Sequence, residues 1–396
     1  MTVVTLDMDK VQSQIHAGYI SRQKHPHHDL YIYNYTHKAQ WDRVWTEETL
    51  ACRGLILTGH HHVVANPFPK FFNYEEHPRS DLVFSKPFKV FGKMDGSLGI
   101  LYPSDPGNGT FEDSANFAIA TRGSFVSNQA LIGTIILNTT YRDFVPEAGK
   151  TYLFEIIYPR NRIVVNYGDV EDLFLLAVRD TATGVELDIT QDVYGWPGPV
   201  APVHEIPAWY SEAEKAGQRP KFHKMEWFDQ LEVPADGSSE GVVFLFETPT
   251  GHTRLKMKTE EYKRLHRIVA GVNNKNIWKM LSVGNAKATE EMIEVLPDEF
   301  HDWVRKTVAD FQAKFDAIWN AAGDDFLHIK EEMNMPTMTA EAIMTSDVRK
   351  EFARRAQQKQ YPGMMFSWID GKDPSEFVWK MLKPTKFESP MDMDSE

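Results

Sequence analysis

The 396-residue sequence has a single cysteine, Cys52. A lone thiol excludes any disulfide within the chain, so stability must come from a packed core, and a reducing, cytoplasmic setting is expected. No run of about 18 apolar residues occurs, which excludes a spanning helix and predicts no membrane partner. The first residues carry Asp7 and Asp9 and lack the continuous apolar stretch of a signal peptide. Positive charge is scarce too: 43 Lys and Arg stand against 56 Asp and Glu, a net charge of −13. That balance excludes a broadly basic, non-specific nucleic-acid binder and leaves room only for a local basic groove. What remains is globular in composition, 42% hydrophobic and 25% charged, at a length that favours two domains.

Alternation and turn signals dominate up to Lys258. Strands are predicted at Leu30–Tyr35, at Arg53–Thr58 with 63–66 as a hairpin, at Thr151–Tyr158, 162–167, 173–179, 241–247 and 252–258. Short helices are predicted near 7–18 and 126–142, and the Pro-rich, polar stretch 195–239 reads as a loop-bearing insertion with room for one helix. The histidines at 25, 27, 28 and 60–62 read as exposed turn residues rather than metal ligands. After Lys258 the period changes to helical, with Tyr262, Leu265, Ile268 and Val269 first. Phe300, Trp303, Val304, Val308, Phe311, Phe315, Ile318 and Trp319 then make one long apolar stripe. Further helices are predicted near 339–345, 346–358 and 374–382. The expected organisation is α+β, with an antiparallel-sheet domain over 1–258 and an all-helical domain over 259–396.

Chemistry concentrates in the first of these. Phe91-Gly92-Lys93-Met94-Asp95-Gly96-Ser97-Leu98 reads as strand, tight turn, strand, with Lys93 at the rim and glycines permitting close approach. Glu155 stands mid-strand among apolar residues and needs a partner or a wet cavity. Glu240 sits at the mouth of a buried strand. Lys256 and Lys258 share one strand face, so they repel unless an anion lies between them. Arg53, Lys70 and Arg122 are further cations at strand ends or among aromatics. Five cations (Arg53, Lys70, Arg122, Lys256, Lys258) suit a polyphosphate. Three acids (Asp95, Glu155, Glu240) suit a hydrated divalent metal such as Mg²⁺, or Mn²⁺. Lys93 remains as nucleophile, and Lys256, Lys258 and a metal would favour its neutral form by repulsion.

The order Lys-x-Asp-Gly, an internal Glu strand, Glu-Gly-Val-Val-Phe and Leu-Lys-Met-Lys resembles motifs I, III, IV and V of covalent nucleotidyltransferases. Within them the chain most resembles the bacteriophage RNA ligase 1 family. Arg53-Gly54, Lys70-Phe71-Phe72-Asn73, Lys-x-Asp-Gly-Ser-Leu, Thr121-Arg122-Gly123-Ser124 and Pro159 to Val165 carry that resemblance, which covers about 50–260. It implies an ATP-grasp-like ligase domain, with ATP and Mg²⁺ (or Mn²⁺) as cofactors. Lys93 would form lysyl-AMP, with Asp95 and Gly96 in the same motif. Arg53, Lys70, Phe72 and Arg122 would bind nucleotide, Glu155 the ribose or metal waters, Glu240 the metal, and Lys256 and Lys258 the α-phosphate. Arg122 stands where relatives often carry lysine. The implied reaction seals RNA 5′-phosphate and 3′-hydroxyl ends, in RNA or tRNA repair beside a separate end-healing kinase/phosphatase. Alternatives are a DNA ligase, a capping-type nucleotidyltransferase, or a non-catalytic RNA-binding protein stacking bases on Phe71, Phe72, Tyr158 and Tyr167. In the helical domain Arg349, Lys350, Arg354 and Arg355 are the candidate phosphate contacts.

Overall fold

The computed structural model describes residues 6–76, 88–104, 116–205, 238–248, 251–284, 286–294, 296, 300–335 and 346–389. The helix expected at 339–345 lies outside the described residues, as do residues 206–237 of the 195–239 stretch expected to hold another, whose described ends are not helical. Two compact units divide the chain, the first ending at His266 and the second beginning at Arg267.

The first unit is built on three sheets. β1 (Ile20–Lys24), β2 (Leu30–Tyr35), β3 (Arg53–Thr58) and β4 (Val63–Ala65) form an antiparallel sheet in sequence order. The remaining strands are β5 (Phe72–Asn73), β6 (Phe88–Lys93), β7 (Ser97–Pro103), β8 (Phe117–Ala120), β9 (Lys150–Ile157), β10 (Asp172–Asp180), β11 (Glu186–Leu187), β12 (Val203–His204), β13 (Gly241–Thr248) and β14 (Gly251–Lys258). They pair as β11-β10-β9-β7-β8 and as β12-β6-β13-β14-β5, antiparallel except where β14 meets β5. The turn at Lys93 therefore closes no hairpin: β6 ends in one sheet and β7 begins in another. That crossover puts the turn where two sheets meet, and not on an outer edge.

Alternation decides what each strand buries. Tyr152, Phe154 and Ile156 of β9 point into a core with Phe91, Leu101, Ile136 and Leu245, while Leu153 points the other way, among Ile32, Ile56 and Ile100. Glu155 shares the face of Leu153. The helix Asn128–Thr140 starts from Ser127, whose hydroxyl accepts from Ala130 N, and covers the first core through Ile136 and Leu137. The strand expected at 162–167 does not form. Its apolar residues suit a strand, but the Val164 and Val165 amides donate to the Asp95 carboxylate instead of to a ladder.

After β14 comes the helix Glu260–Ala270, whose last residues belong to the second unit. Every other regular element of that unit among the described residues is also a helix: Asn274–Ser282, Ala286–Glu294, His301–Glu332, Ser346–Ala356, Pro362–Ile369 and Ser375–Met381. The apolar stripe lies on the 32-residue helix His301–Glu332, about 48 Å long at the usual rise. Val304, Phe311 and Phe315 pack there with Val272, Ile277, Leu281 and Trp379. No described helix is long and apolar enough to cross a membrane.

Gly241 opens β13 at φ +145°, and a Cβ there would lie 2.0 Å from the Met257 carbonyl oxygen. Gly241→Ala combines a backbone penalty of about 1–3 kcal/mol with that clash. Chemical denaturation is expected to show a loss of about 2 kcal/mol or more.

Candidate active site

Strand register builds the site. On the three neighbouring strands β6, β13 and β14, Lys93 stands opposite Gly241, and Gly241 opposite Lys258. Glu240 immediately precedes Gly241, so its carboxylate falls between two lysines. Oε2 accepts from Lys93 Nζ at 2.5 Å and Oε1 lies 2.8 Å from Lys258 Nζ. Glu240 is only 3% exposed. The pair of cations compensates a carboxylate that would otherwise be buried at high cost. Thus the anion expected between Lys256 and Lys258 is found, for Lys258, in the protein itself.

Lys93, Gly96, Glu155, Arg53 and Arg122 line a pocket of about 550 Å³, walled by Phe68, Phe71, Leu98 and Val243. Gly96 is required by contact: a Cβ would come within 2.6 Å of Ile156 O and 3.2 Å of Glu155 Cγ. Its amide donates to Glu155 Oε1 at 2.9 Å. The Arg53 guanidinium stacks near Phe71, 5.4 Å from the ring centroid, and its buried Nη1 has no hydrogen-bond partner among the described residues. Gly54, at φ +90°, keeps that strand close to Arg122, whose Cα would lie 3.3 Å from a Cβ. Arg122 itself donates to Tyr35 Oη at 3.2 Å. Lys70 sits among the rings of Tyr35, Trp45 and Phe72, at 5.8, 5.2 and 4.9 Å. Phe72 is engaged with Lys70 and, edge-on, with Trp45. The aromatic rings that line the pocket are those of Phe68, Phe71 and Phe91.

Two expectations are corrected. Asp95 is 2% exposed, and its oxygens are taken: Oδ2 accepts from Val164 N and Val165 N at 2.9 and 2.8 Å, and Oδ1 from Tyr262 Oη at 2.7 Å. Asp95 is therefore an anchor for the turn, not a metal ligand. Among the described residues no group of three or more acids, histidines or cysteines is placed to hold a metal ion, so Asp95, Glu155 and Glu240 do not assemble as a ligand set. Glu240 engages Lys93 through Oε2 and Lys258 through Oε1, and Glu155 accepts from the Gly96 amide, so an ion reaching them would take most of its oxygens from water and phosphate, as Mg²⁺ usually does.

The second correction is electrostatic. Burial pulls Lys93 toward the neutral form, but Glu240, Glu155 and Asp95 outweigh it, and its pKa lies above the usual lysine value. Lys93 is held as a cation, not kept neutral by its lysine neighbours. Lys256 takes that burden. Desolvation, then Lys70, Lys93, Arg53 and Lys258, lower it to about 7. Burial also lifts Glu155 to about 7, against the pull of Lys93.

Sequence reasoning missed Arg254 and the site role of Tyr262, and named Tyr167 only as a base-stacking ring. Arg254 lines the pocket and grips Glu186 with two bonds, at 3.0 and 2.5 Å. Period two from Lys258 and Lys256 reaches it directly, so the signal was present. Tyr262 also lies under Lys258 Nζ, 4.6 Å from the ring centroid, and Tyr167 Oη accepts from Asp95 N at 2.9 Å. No pattern in the sequence links those tyrosines to Asp95.

A family model described as RNA ligase matches residues 51–262. The chain belongs to the RNA ligase family. The match spans both strands around Lys93 and runs through Tyr262. It sets aside the DNA ligase, capping and non-catalytic alternatives. An RNA ligase of Rhodothermus phage RM378 is 22% identical over 87% of this chain and 86% of that protein. A putative bifunctional polynucleotide kinase/RNA ligase of Autographa californica nuclear polyhedrosis virus is 29% identical over 40% of this chain and 25% of its own length. Among solved structures, an archaeal ATP-dependent RNA ligase superposes at TM-score 0.42 and 13% identity, over 77% of this chain and 79% of that one.

The charge arrangement of this RNA ligase has a chemical readout. A lysine with pKa about 7 is largely neutral at pH 8, whereas one above the ordinary value is protonated. Amine-selective acylation of the nucleotide- and metal-free protein at pH 8 is expected to modify Lys256 ahead of Lys93. In Glu240→Gln the main partner raising Lys93 is gone, so its reactivity-against-pH curve shifts to lower pH. Peptide mapping by mass spectrometry checks both.

Proposed function

We propose that this RNA ligase joins RNA 5′-phosphate and 3′-hydroxyl ends with ATP, through lysyl-AMP on Lys93. The observation that carries the reading is the position of the Lys93 amine. It is hydrogen-bonded to Glu240, in register with Lys258 across Gly241, at a pocket where the buried Arg53 Nη1 has no partner among the described residues. A nucleophile, a proton acceptor and an unspent phosphate donor thus meet in one place.

In the first step the Lys93 proton passes to Glu240, 2.5 Å away, and the free amine attacks the α-phosphorus. The N–P bond forms as the P–O bond to pyrophosphate breaks. Arg53, Lys70 and Arg122 hold the leaving phosphates, and Lys256 and Lys258 neutralise charge on the α-phosphate. Phosphoryl-type transfer asks mainly for such positioning and charge. Glu155 fixes the Gly96 amide and faces the ribose. Mg²⁺ or Mn²⁺ would be held by Glu240 and Glu155, and when bound it supplies neutralisation of phosphate charge. In the second step the RNA 5′-phosphate takes AMP from Lys93. In the third the RNA 3′-hydroxyl attacks that phosphate and AMP leaves. The first unit is the adenylyltransferase and the second a helical C-terminal domain.

The baculovirus relative is named for both a kinase and a ligase activity. On our reading this chain does the sealing, and a separate kinase/phosphatase prepares the ends. RNA repair in the cytoplasm, tRNA included, is the setting that suits this division.

Lys93→Ala and Lys93→Arg are both expected to abolish covalent AMP on the protein, since arginine stays protonated. Sealing of pre-adenylated RNA should survive in Lys93→Ala. Label from [α-³²P]ATP on a Lys93→Ala protein would end the assignment. Lys256→Ala and Lys258→Ala should each slow lysyl-AMP formation roughly a hundredfold, the cost of about 3 kcal/mol for one lost charge contact in a closed site. Single-turnover kinetics read that loss.

A further inference from the structure

Many basic side chains of the second unit are paired with acids. Arg349 pairs with Asp370, Lys350 with Asp347, Arg354 with Glu351, and Arg355 with Glu351 and Glu332. Lys287, Arg305, Lys359 and Lys380 are paired as well. The four cations that the sequence suggested for phosphate contact thus each have an acid partner. Lys314, Lys383 and Lys386, like Lys275, Lys279, Lys306, Lys330 and Lys372, have no carboxylate partner within ion-pair distance among the described residues, and these three are set apart by lining one cavity.

These three lysines line one pocket of about 280 Å³, with Asn274, Thr307 and Thr385 beside them and Asp310 and Glu388 as its two acids. Asp310 lies one turn before Lys314 on the long helix and yet does not pair with it. The backbone that carries Lys383 and Lys386 is fixed. Asn274, 5% exposed, donates from Nδ2 to Lys386 O at 3.2 Å and accepts from Glu388 N at 3.2 Å, while its amide donates to Glu388 O at 2.9 Å. Within this tethered segment Phe387 is 54% exposed. Lys275 Nζ lies 5.9 Å from the Phe387 ring centroid, and Lys383 Nζ 5.8 Å from that of Trp278. The Phe387 ring is thus held outward between Lys275 and the segment that carries Lys383 and Lys386. Burying that ring on a base and meeting the lysines with phosphate would satisfy both at once.

We infer that this pocket binds the sugar–phosphate backbone of single-stranded RNA, with Phe387 stacking on one base. Lys314, Lys383 and Lys386 take phosphate oxygens, Thr307 and Thr385 offer hydroxyls to phosphate or ribose, and Lys275 flanks the stacked ring. The site belongs to the second unit alone. It rests on the RNA-joining reading only in its choice of RNA over another polyanion.

The test is fluorescence anisotropy of a labelled single-stranded RNA bound to the full chain across a salt series, with lysyl-AMP formation measured on the same preparations. The variant Lys314→Ala/Lys383→Ala/Lys386→Ala is expected to flatten the log K against log salt slope by about 2, at roughly 0.7 per lost contact, with lysyl-AMP formation unchanged. Phe387→Ala should weaken binding roughly five- to a hundredfold at every salt concentration and leave the slope alone. Lys350→Ala/Arg354→Ala, which removes paired cations, should leave both nearly as they were. A triple variant with the parent slope and affinity, or one no weaker than the paired-cation control, overturns the site. Failure of the parent to form lysyl-AMP would overturn the ligation mechanism instead, and the RNA slopes would still decide the pocket.

Discussion

One buried carboxylate holds the first unit's chemistry together. Glu240 lies between Lys93 and Lys258, and only the β6-β13-β14 register could bring those three residues side by side from so far apart in the chain. Its position depends on Gly241, because a Cβ at that residue would strike the backbone of β14. Remove the carboxylate and two ammonium groups face each other in a poorly hydrated place. Remove a lysine and a buried anion loses half of its compensation. The nucleophile is therefore stored as half of an ion pair whose other half is the nearest acceptor for its proton.

The same site distributes its charges unevenly for a physical reason. Lys93 has carboxylates around it and stays protonated, whereas Lys256 has Lys70, Lys93, Arg53 and Lys258 around it and is driven toward neutrality. Burial acts on both, so neighbours and not exposure decide the difference. A polyphosphate entering this group would reverse the repulsion at Lys256 and supply the Arg53 Nη1 with an acceptor. Asp95 stands apart from this exchange. Fixed by Val164, Val165 and Tyr262, it ties the turn that carries Lys93 to the segment after β9 and to the helix after β14.

In the second unit the contrast is between spent and unspent charge. Helical spacing at i, i+3 and i, i+4 lets Lys350, Arg354 and Arg355 find acids on their own helix. Lys383 and Lys386 lie beyond the last helix, on a segment whose backbone is tied to Asn274, where no such periodic partner exists. A cluster of basic letters in the sequence is thus a poor guide to where positive charge is available.

The sequence alone determined the elements whose patterns are local. Alternation around Thr151–Ile157 and along Leu255-Lys256-Met257-Lys258, the helical stripe from Phe300 to Trp319, and the ordered motifs that point to an RNA ligase all follow from neighbours within a few residues. It also exposed Lys93, Glu155, Glu240 and Arg53, because a charged residue in or beside an apolar strand is out of place without a partner. Tertiary structure decided who that partner is. Whether β6 and β7 pair or part company at the Lys93 turn, that Asp95 is consumed by two amides and a tyrosine 167 residues away, and that Lys93 is the charged lysine and Lys256 the depressed one, depend on contacts between distant segments. Strand register and burial fix those contacts, and neither is written in the spacing of residues along one strand.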